Sequence, residues 1–121
     1  MRFIKKGDKI LAAVFDGTFE DGTKPLTEES LPLQIIGLKH PAGKTLVAHA
    51  HRPEKRTTDK LSEALMVFSG VVKVGIYDGK DLFASEELRA GQGVQAINCG
   101  IGIEVLEDAT MMEFKNGPFV E

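Results

Sequence analysis

Short apolar segments separated by turn-forming residues limit the fold of this chain more than any other feature. Thirteen glycines are spread along the 121 residues, and helix signals are weak throughout. Segments rich in β-branched and other apolar residues recur at short intervals, at positions 9–15, 33–39, 45–51, 63–68, 71–77, 82–87, 94–97, 101–106 and 110–115. Short strands at regular spacing, with turns between them, predict an all-β sandwich or barrel.

The segments between the predicted strands carry turn and loop signals. Residues 16–30 are acidic and turn-rich and predict a long loop, and residues 52–61 predict a polar loop. Ser69 and Gly70 are expected to form the tight turn of a hairpin. No linker or internal repeat divides the chain, so we expect a single domain over residues 1–121.

Charge and composition argue against several classes of partner. The net charge is −3, which argues against nucleic acid, and no apolar run is long enough to cross a bilayer. The first residues lack the long apolar core of a signal peptide. Cys99 is the single cysteine, so an internal disulfide is impossible and a reducing cytoplasm is the expected compartment.

Two of the three histidines lie in one predicted strand, one residue apart. His49 and His51 point to the same face of that strand because side chains alternate, and the apolar Val47 shares their face. That face is expected to look into the interior of the barrel. Glu63 begins the strand at 63–68, and it enters the same interior if it faces inward. The sequence therefore permits the three side chains to converge.

Three readings of such a convergence stay open from the residues alone. Two imidazoles and a carboxylate suit a first-row metal such as Fe, Mn, Zn or Ni. Imidazole also titrates near physiological pH, so the histidines can transfer protons without a metal. In the third reading, His49 and His51 are ordinary hydrogen-bonded histidines of a barrel.

The spacing around the histidines resembles the first motif of the cupin superfamily. Gly43, five residues, His49-x-His51, a loop, Glu63, six residues and Gly70 follow that motif in order. The resemblance implies a cupin-type antiparallel β-barrel or jelly roll over residues 33–118. It also implies a divalent transition metal held by the two histidines and the glutamate.

The match departs from the motif in the loop between the second histidine and the glutamate. That loop has eleven residues, where cupins usually have only a few. Glu54 lies in this loop and is the nearer carboxylate, but no strand follows it. We therefore take Glu63 as the metal ligand and keep Glu54 as the fallback.

The second cupin motif corresponds to residues 88–103 and lacks its histidine ligand. Ile101 or Ile103 stands at that place, depending on the alignment, and isoleucine cannot bind a metal. Cys99 is close by and is a fallback ligand, although a lone cysteine in a β-rich core is more often packing. Three protein ligands can still hold a metal when water completes the shell.

The resemblance favours a metal-dependent isomerase, epimerase or dioxygenase acting on a small ligand. Residues 103–118 are similar to the ending of small single-domain cupins associated with sugar or cell-surface polysaccharide pathways. A carbohydrate-derived ligand is therefore the implied substrate class.

Two other functions remain open. In the first, His49 and His51 shuttle protons in a metal-free sugar-nucleotide isomerase. The basic side chains of Arg52, Lys55 and Arg56 then bind the diphosphate, unless they are simply solvated. In the second, the chain is a non-catalytic cupin that binds a small sugar.

A small barrel leaves edge strands that need cover. We expect a homodimer that pairs through an N-terminal strand, either residues 2–5 or residues 9–15.

Overall fold

Antiparallel strands make up the regular structure of this chain. The structure is a computed structural model, and it describes residues 1–118, so the last three residues of the predicted domain lie outside the described part. The strands of this part are β1 (Arg2–Lys6), β2 (Lys9–Phe15), β3 (Gly22–Pro25), β4 (Ile36–Lys39), β5 (Glu63–Asp78), β6 (Asp81–Arg89), β7 (Gly93–Ala96) and β8 (Gly100–Lys115).

The main sheet has the order β1-β2-β7-β5-β6, and β8 pairs with β5 along nearly its whole length. Strands β3 and β4 form a separate two-stranded sheet. The main sheet curls into a half-barrel, which confirms the predicted all-β fold of the antiparallel β-barrel or jelly-roll type. β2 is hydrogen-bonded to β1 on one side and to β7 on the other. Of the two segments considered for pairing between copies, only β1 therefore has a free edge within residues 1–118.

Alternation along the strands sends apolar side chains to both faces of the sheet. Ala12 and Val14 of β2 pack into the main cluster of buried residues, here called the inner core. Ala13 and Phe15 point the other way, into a smaller group called the outer cluster. The inner core consists of Ile4, Leu11, Ala12, Val14, Leu65, Val67, Val72, Val74, Ile76, Leu88 and Val94. Both faces of β2 are therefore covered, which is why this strand is apolar almost throughout.

The predicted hairpin at Ser69 and Gly70 is wrong. Residues 63–78 form one continuous strand, β5. The register between β5 and β8 shifts at Ser69, on both sides of this residue, and Gly70 has a φ of 80°. A Ser-Gly pair suits a turn and also suits a bulge, because both need a residue with positive φ. Here the pair bends a long strand instead of reversing the chain.

Some of the other predicted elements agree with the observed ones, and some do not. β2 has the predicted bounds, whereas the predicted strands at 101–106 and 110–115 are parts of the single strand β8. β3 lies inside the predicted loop at 16–30. The predicted strand at 45–51 does not form, and residues 45–62 have no regular secondary structure.

None of the described residues forms a helix that is long and apolar enough to span a membrane.

Candidate functional site

Both motif histidines lie in an exposed irregular segment, here called the histidine loop (residues 45–62). The ring centroids of His49 and His51 are 5.1 Å apart, and their planes are inclined by 80°. Val47, which was expected to face the interior with them, is 82% exposed. The predicted inward-facing strand is therefore replaced by a loop that holds the two rings close together at the surface.

One hydrogen bond determines which nitrogen of His49 is free. Its Nδ1 lies 3.2 Å from the carbonyl oxygen of Val47. A carbonyl only accepts, so Nδ1 donates in this hydrogen bond, and Nε2 is the nitrogen with a lone pair in the neutral ring. Metal-binding histidines commonly donate their second ring N–H to a backbone carbonyl in this way.

The spacing of the two rings also fits a shared ion. Zinc–nitrogen bonds of about 2.1 Å in a tetrahedral site place the centres of two imidazole ligands about 5 Å apart. The observed 5.1 Å between His49 and His51 agrees with that geometry. The distance between the two ring centroids is therefore compatible with two ligands of one divalent cation.

Glu63 begins β5 and lies on the predicted face of that strand. It shares this face with Leu65 and Val67, which are 2% and 1% exposed and belong to the inner core. Across the sheet, Nζ of Lys115 is 3.9 Å from the Glu63 carboxylate and 3.2 Å from that of Glu113. Two carboxyl groups and one ammonium group thus meet at one end of the inner core.

The two carboxyl groups of this cluster influence each other's titration. A hydrogen bond with Glu113 raises the pKa of Glu63 to about 7, with burial and the negative charge of Glu113 acting in the same direction. Lys115 acts in the opposite direction but is too weak to reverse the shift. The same hydrogen bond lowers the pKa of Glu113. Below pH 7 the pair therefore keeps a proton mainly on Glu63, and it loses this proton as the pH rises through about 7.

We expect Glu63→Gln to remove part of the pH dependence of stability. The raised pKa means that Glu63 contributes stability below its unfolded pKa, near 4.5, and that this contribution is lost as pH rises through about 7. The side chain is partly exposed, so solvent screening reduces the contribution to about 1 kcal/mol. Glutamine keeps a donor toward Glu113, so the variant is expected to be about 1 kcal/mol more stable than wild type at pH 8.

Urea unfolding between pH 4.5 and pH 8, with chelator present throughout, measures this difference. Glu54→Gln is the matched control, because Glu54 is exposed on the histidine loop. Parallel stability profiles for wild type and Glu63→Gln would contradict the assignment.

The end of the histidine loop is fastened beside Glu63 by two asparagines. Asn116 accepts a hydrogen bond from the backbone N–H of Ser62 at 2.6 Å and donates one to the carbonyl of Lys60 at 3.1 Å. Asn98 accepts from Nζ of Lys60 and donates to the carbonyl of Ile10 at 2.8 Å. Sequence interpretation missed both asparagines, because an asparagine one or two residues before a glycine indicates only a turn.

The remaining predicted site residues do not gather around the histidines. Glu54, Arg52, Lys55 and Arg56 are all exposed on the histidine loop. Cys99 is half-buried and packs against the inner core, where burial raises the pKa of its thiol.

The three expected metal ligands are not assembled. Among residues 1–118, no group of three or more histidine, cysteine, aspartate or glutamate side chains is arranged to hold a metal ion. The physical reason is the conformation of the histidine loop. Within the described part of the chain, no hydrogen bond joins residues 45–57 to a strand, so nothing carries the histidines to Glu63.

Comparison of the chain with protein-family models, with curated proteins and with solved structures finds no match in any of the three.

Proposed function

We propose that this chain is a small cupin-type protein that binds one divalent transition metal, such as Fe, Mn, Zn or Ni. His49 and His51 are the first two ligands, and Glu63 is the third, with Glu54 and Cys99 as fallbacks. The observation that carries the proposal is the histidine pair, with ring centroids 5.1 Å apart and Nε2 of His49 left free by the bond to Val47.

The fit of a metal to these residues is partial. The spacing of the two imidazoles suits a shared cation, and the hydrogen bond of His49 to Val47 leaves its Nε2 as the ligating nitrogen. Glu63 is separated from them in this structure, and no catalytic step follows from the present arrangement. Binding by all three groups requires the histidine loop to change its conformation.

The loop is built in a way that permits such a change. Its last residue, Ser62, is buried and bonded to Asn116 and to the carbonyl of Ala96, directly before Glu63. Residues 45–57 have no hydrogen bonds to strands among the described residues. Repositioning the histidines therefore breaks no hydrogen bond of the sheet. An ion that binds all three groups would stabilise the conformation in which the histidines lie next to Glu63.

Calorimetric titration with Zn²⁺ and Ni²⁺ tests the proposal. We expect His49→Ala and His51→Ala each to weaken binding by at least about tenfold, since even the partners of metal ligands contribute 10- to 100-fold. Glu63→Gln is expected to weaken binding as well. His40→Ala is the control, because His40 is bonded to Thr23 at 2.8 Å outside the loop.

Each outcome has a definite meaning. Binding that is equal in wild type and in both histidine variants contradicts the proposed ligands. Binding that is lost in the histidine variants but unchanged in Glu63→Gln removes the glutamate and leaves a two-histidine site.

The substrate and reaction are proposed from the motif resemblance. It supports an isomerase, epimerase or dioxygenase acting on a small carbohydrate-derived ligand. The proposal that the protein is cytoplasmic rests separately on its single cysteine. The exposed cations Arg52, Lys55 and Arg56 lie on the same loop as the histidines, where they can attract an anionic ligand such as a sugar nucleotide. The metal-free isomerase and the non-catalytic module remain the alternatives to this reaction.

We also propose a homodimer. Among the described residues, β1 pairs with β2 alone and leaves an edge on which a second copy can pair, as proposed for an N-terminal strand.

A further inference from the structure

A cavity of about 370 Å³ lies beside the outer cluster, on the face of the main sheet that is opposite to the inner core. Ala64 and Met66 of β5 line it, whereas Leu65, between them on the same strand, belongs to the inner core. Side chains alternate along a strand, so Glu63 shares the face of Leu65 and not that of the cavity. The cavity therefore plays no part in the proposed metal site.

Two parts of the chain form the walls of this cavity. Its apolar lining includes Phe15, Met66 and Phe114 of the main sheet and Phe19, Leu26 and Ile35 of the segment 17–36. The backbone N–H of Leu26 donates to the carbonyl of Ile35 at 2.8 Å, and Nε2 of Gln95 in β7 donates to the carbonyl of Leu33 at 2.6 Å. These bonds fasten the segment to itself and to the sheet, and sites for small molecules are usually preformed in this way.

The walls offer no charged side chain to a ligand. Within residues 1–118, no acidic, basic or histidine side chain lines the cavity, although 27% of the chain is charged. Its polar side chains are those of Thr18 and Gln34. Met1 also lines the cavity, and its ammonium group is paired with Asp16 at 3.1 Å. A charged molecule would therefore lose its hydration here without gaining a partner.

Several apolar walls are only partly covered by the protein itself. Phe19 and Ile36 are each 44% exposed, and Phe114 is 43% exposed. An apolar molecule in the cavity would remove part of this surface from water, which favours binding. The volume lies at the lower end of the range of about 300–1,000 Å³ that is usual for ligand sites, so the occupant must be small.

We propose that this cavity binds a small, uncharged, apolar molecule that contains an aromatic ring. The three phenylalanine rings and the thioether of Met66 favour an aromatic ligand, because ring–ring and sulfur–ring contacts add to the effect of burial. This ligand differs from the carbohydrate-derived one proposed for the histidines. A carbohydrate would bring many hydroxyl groups to walls that have few hydrogen-bonding partners.

Two probes of nearly the same shape test the ligand class. Isobutylbenzene is uncharged, whereas phenylacetate has a carboxylate in place of the two methyl groups. With chelator present throughout, we expect isobutylbenzene to shift the amide NMR signals of Ala64, Met66 and Ile35 saturably and to leave Val74 of the inner core unchanged. Phenylacetate is expected to bind at least about tenfold more weakly. Equal affinities of the two probes, or no saturable shift with isobutylbenzene, would overturn the proposal.

A variant that fills the cavity tests the location. Ala64 is a small residue on the wall, and its Cα neighbour on β8 is Phe114. Ala64→Leu places three extra carbon atoms in the cavity and is expected to weaken isobutylbenzene at least about tenfold. Ala42→Leu adds the same atoms in an exposed turn and is the matched control. Unchanged binding in Ala64→Leu would contradict the assignment, and the pattern of shifts in the wild-type protein decides it if this variant fails to fold.

Dilution of the wild-type protein without a probe distinguishes a small ligand from a second copy of the chain. If the cavity is a small-molecule site, the signals of Ala64, Met66 and Ile35 do not change with protein concentration. Shifts of these signals on dilution would mean that a second copy covers the cavity, which would overturn the proposal.

Discussion

Replacing Gly70 by alanine is expected to lower the free energy of unfolding by at least about 3 kcal/mol. Gly70 has a φ of 80°, a conformation that costs an alanine about 1–2 kcal/mol. A Cβ at this position would also lie less than 3.0 Å from the carbonyl oxygen of Asp108 and 2.7 Å from Cα of Ala109. Both contacts are with the backbone of β8, which cannot move without disturbing the pairing with β5.

Gly79→Ala is the control that isolates the clash. Gly79 has a φ of 62°, but a Cβ there would meet nothing within 4 Å. This variant should therefore lose only about 1 kcal/mol, from the backbone conformation alone. Urea unfolding of both variants measures the difference. Equal losses of stability would mean that the backbone of β8 does not lie against Gly70 as described.

Ile76→Ala is expected to cost about 2–5 kcal/mol, because the side chain is fully buried in the inner core and its removal leaves a cavity. Ile76 pairs with Ile101 of β8 and with Ala84 of β6, so it lies where three strands meet. The loss should appear as a lower urea midpoint with an unchanged slope, since the folded state stays compact.

The matched control makes the same substitution on β8. Ile103 is 44% exposed, so Ile103→Ala should cost less than about 1 kcal/mol. Both changes remove a β-branched residue from a strand, which means that the change in strand propensity cancels in the comparison. Losses of similar size would contradict the described division between the inner core and the exposed face of β8.

The sequence predicted the fold class well because strand signals are local. β2 has its predicted bounds, since a continuous apolar run with turn-forming residues on each side defines it. The hairpin at Ser69 and Gly70 was wrong, because a positive-φ glycine serves a turn or a bulge equally well. Whether the chain reverses there depends on β8, which pairs across the position from more than thirty residues away.

The candidate site was less predictable because it depends on contacts between residues that are far apart in the sequence. Glu63 shares its face of β5 with Leu65 and Val67 of the inner core, because side chains alternate along a strand. Its neighbours Glu113 and Lys115 are set by the register of β8, which a local pattern does not reveal. The segment from Thr45 to His51 alternates like a strand, but strand propensity needs a neighbouring strand, and none pairs with it in the described part.

The metal content of the native protein tests the central proposal most directly. Elemental mass spectrometry on protein purified without a metal-affinity tag should find about one equivalent of a transition metal per chain. His49→Ala should abolish it, while His40→Ala should retain it. A wild-type protein that is free of metal, and that stays so after incubation with iron, manganese, zinc and nickel, would contradict the proposed function.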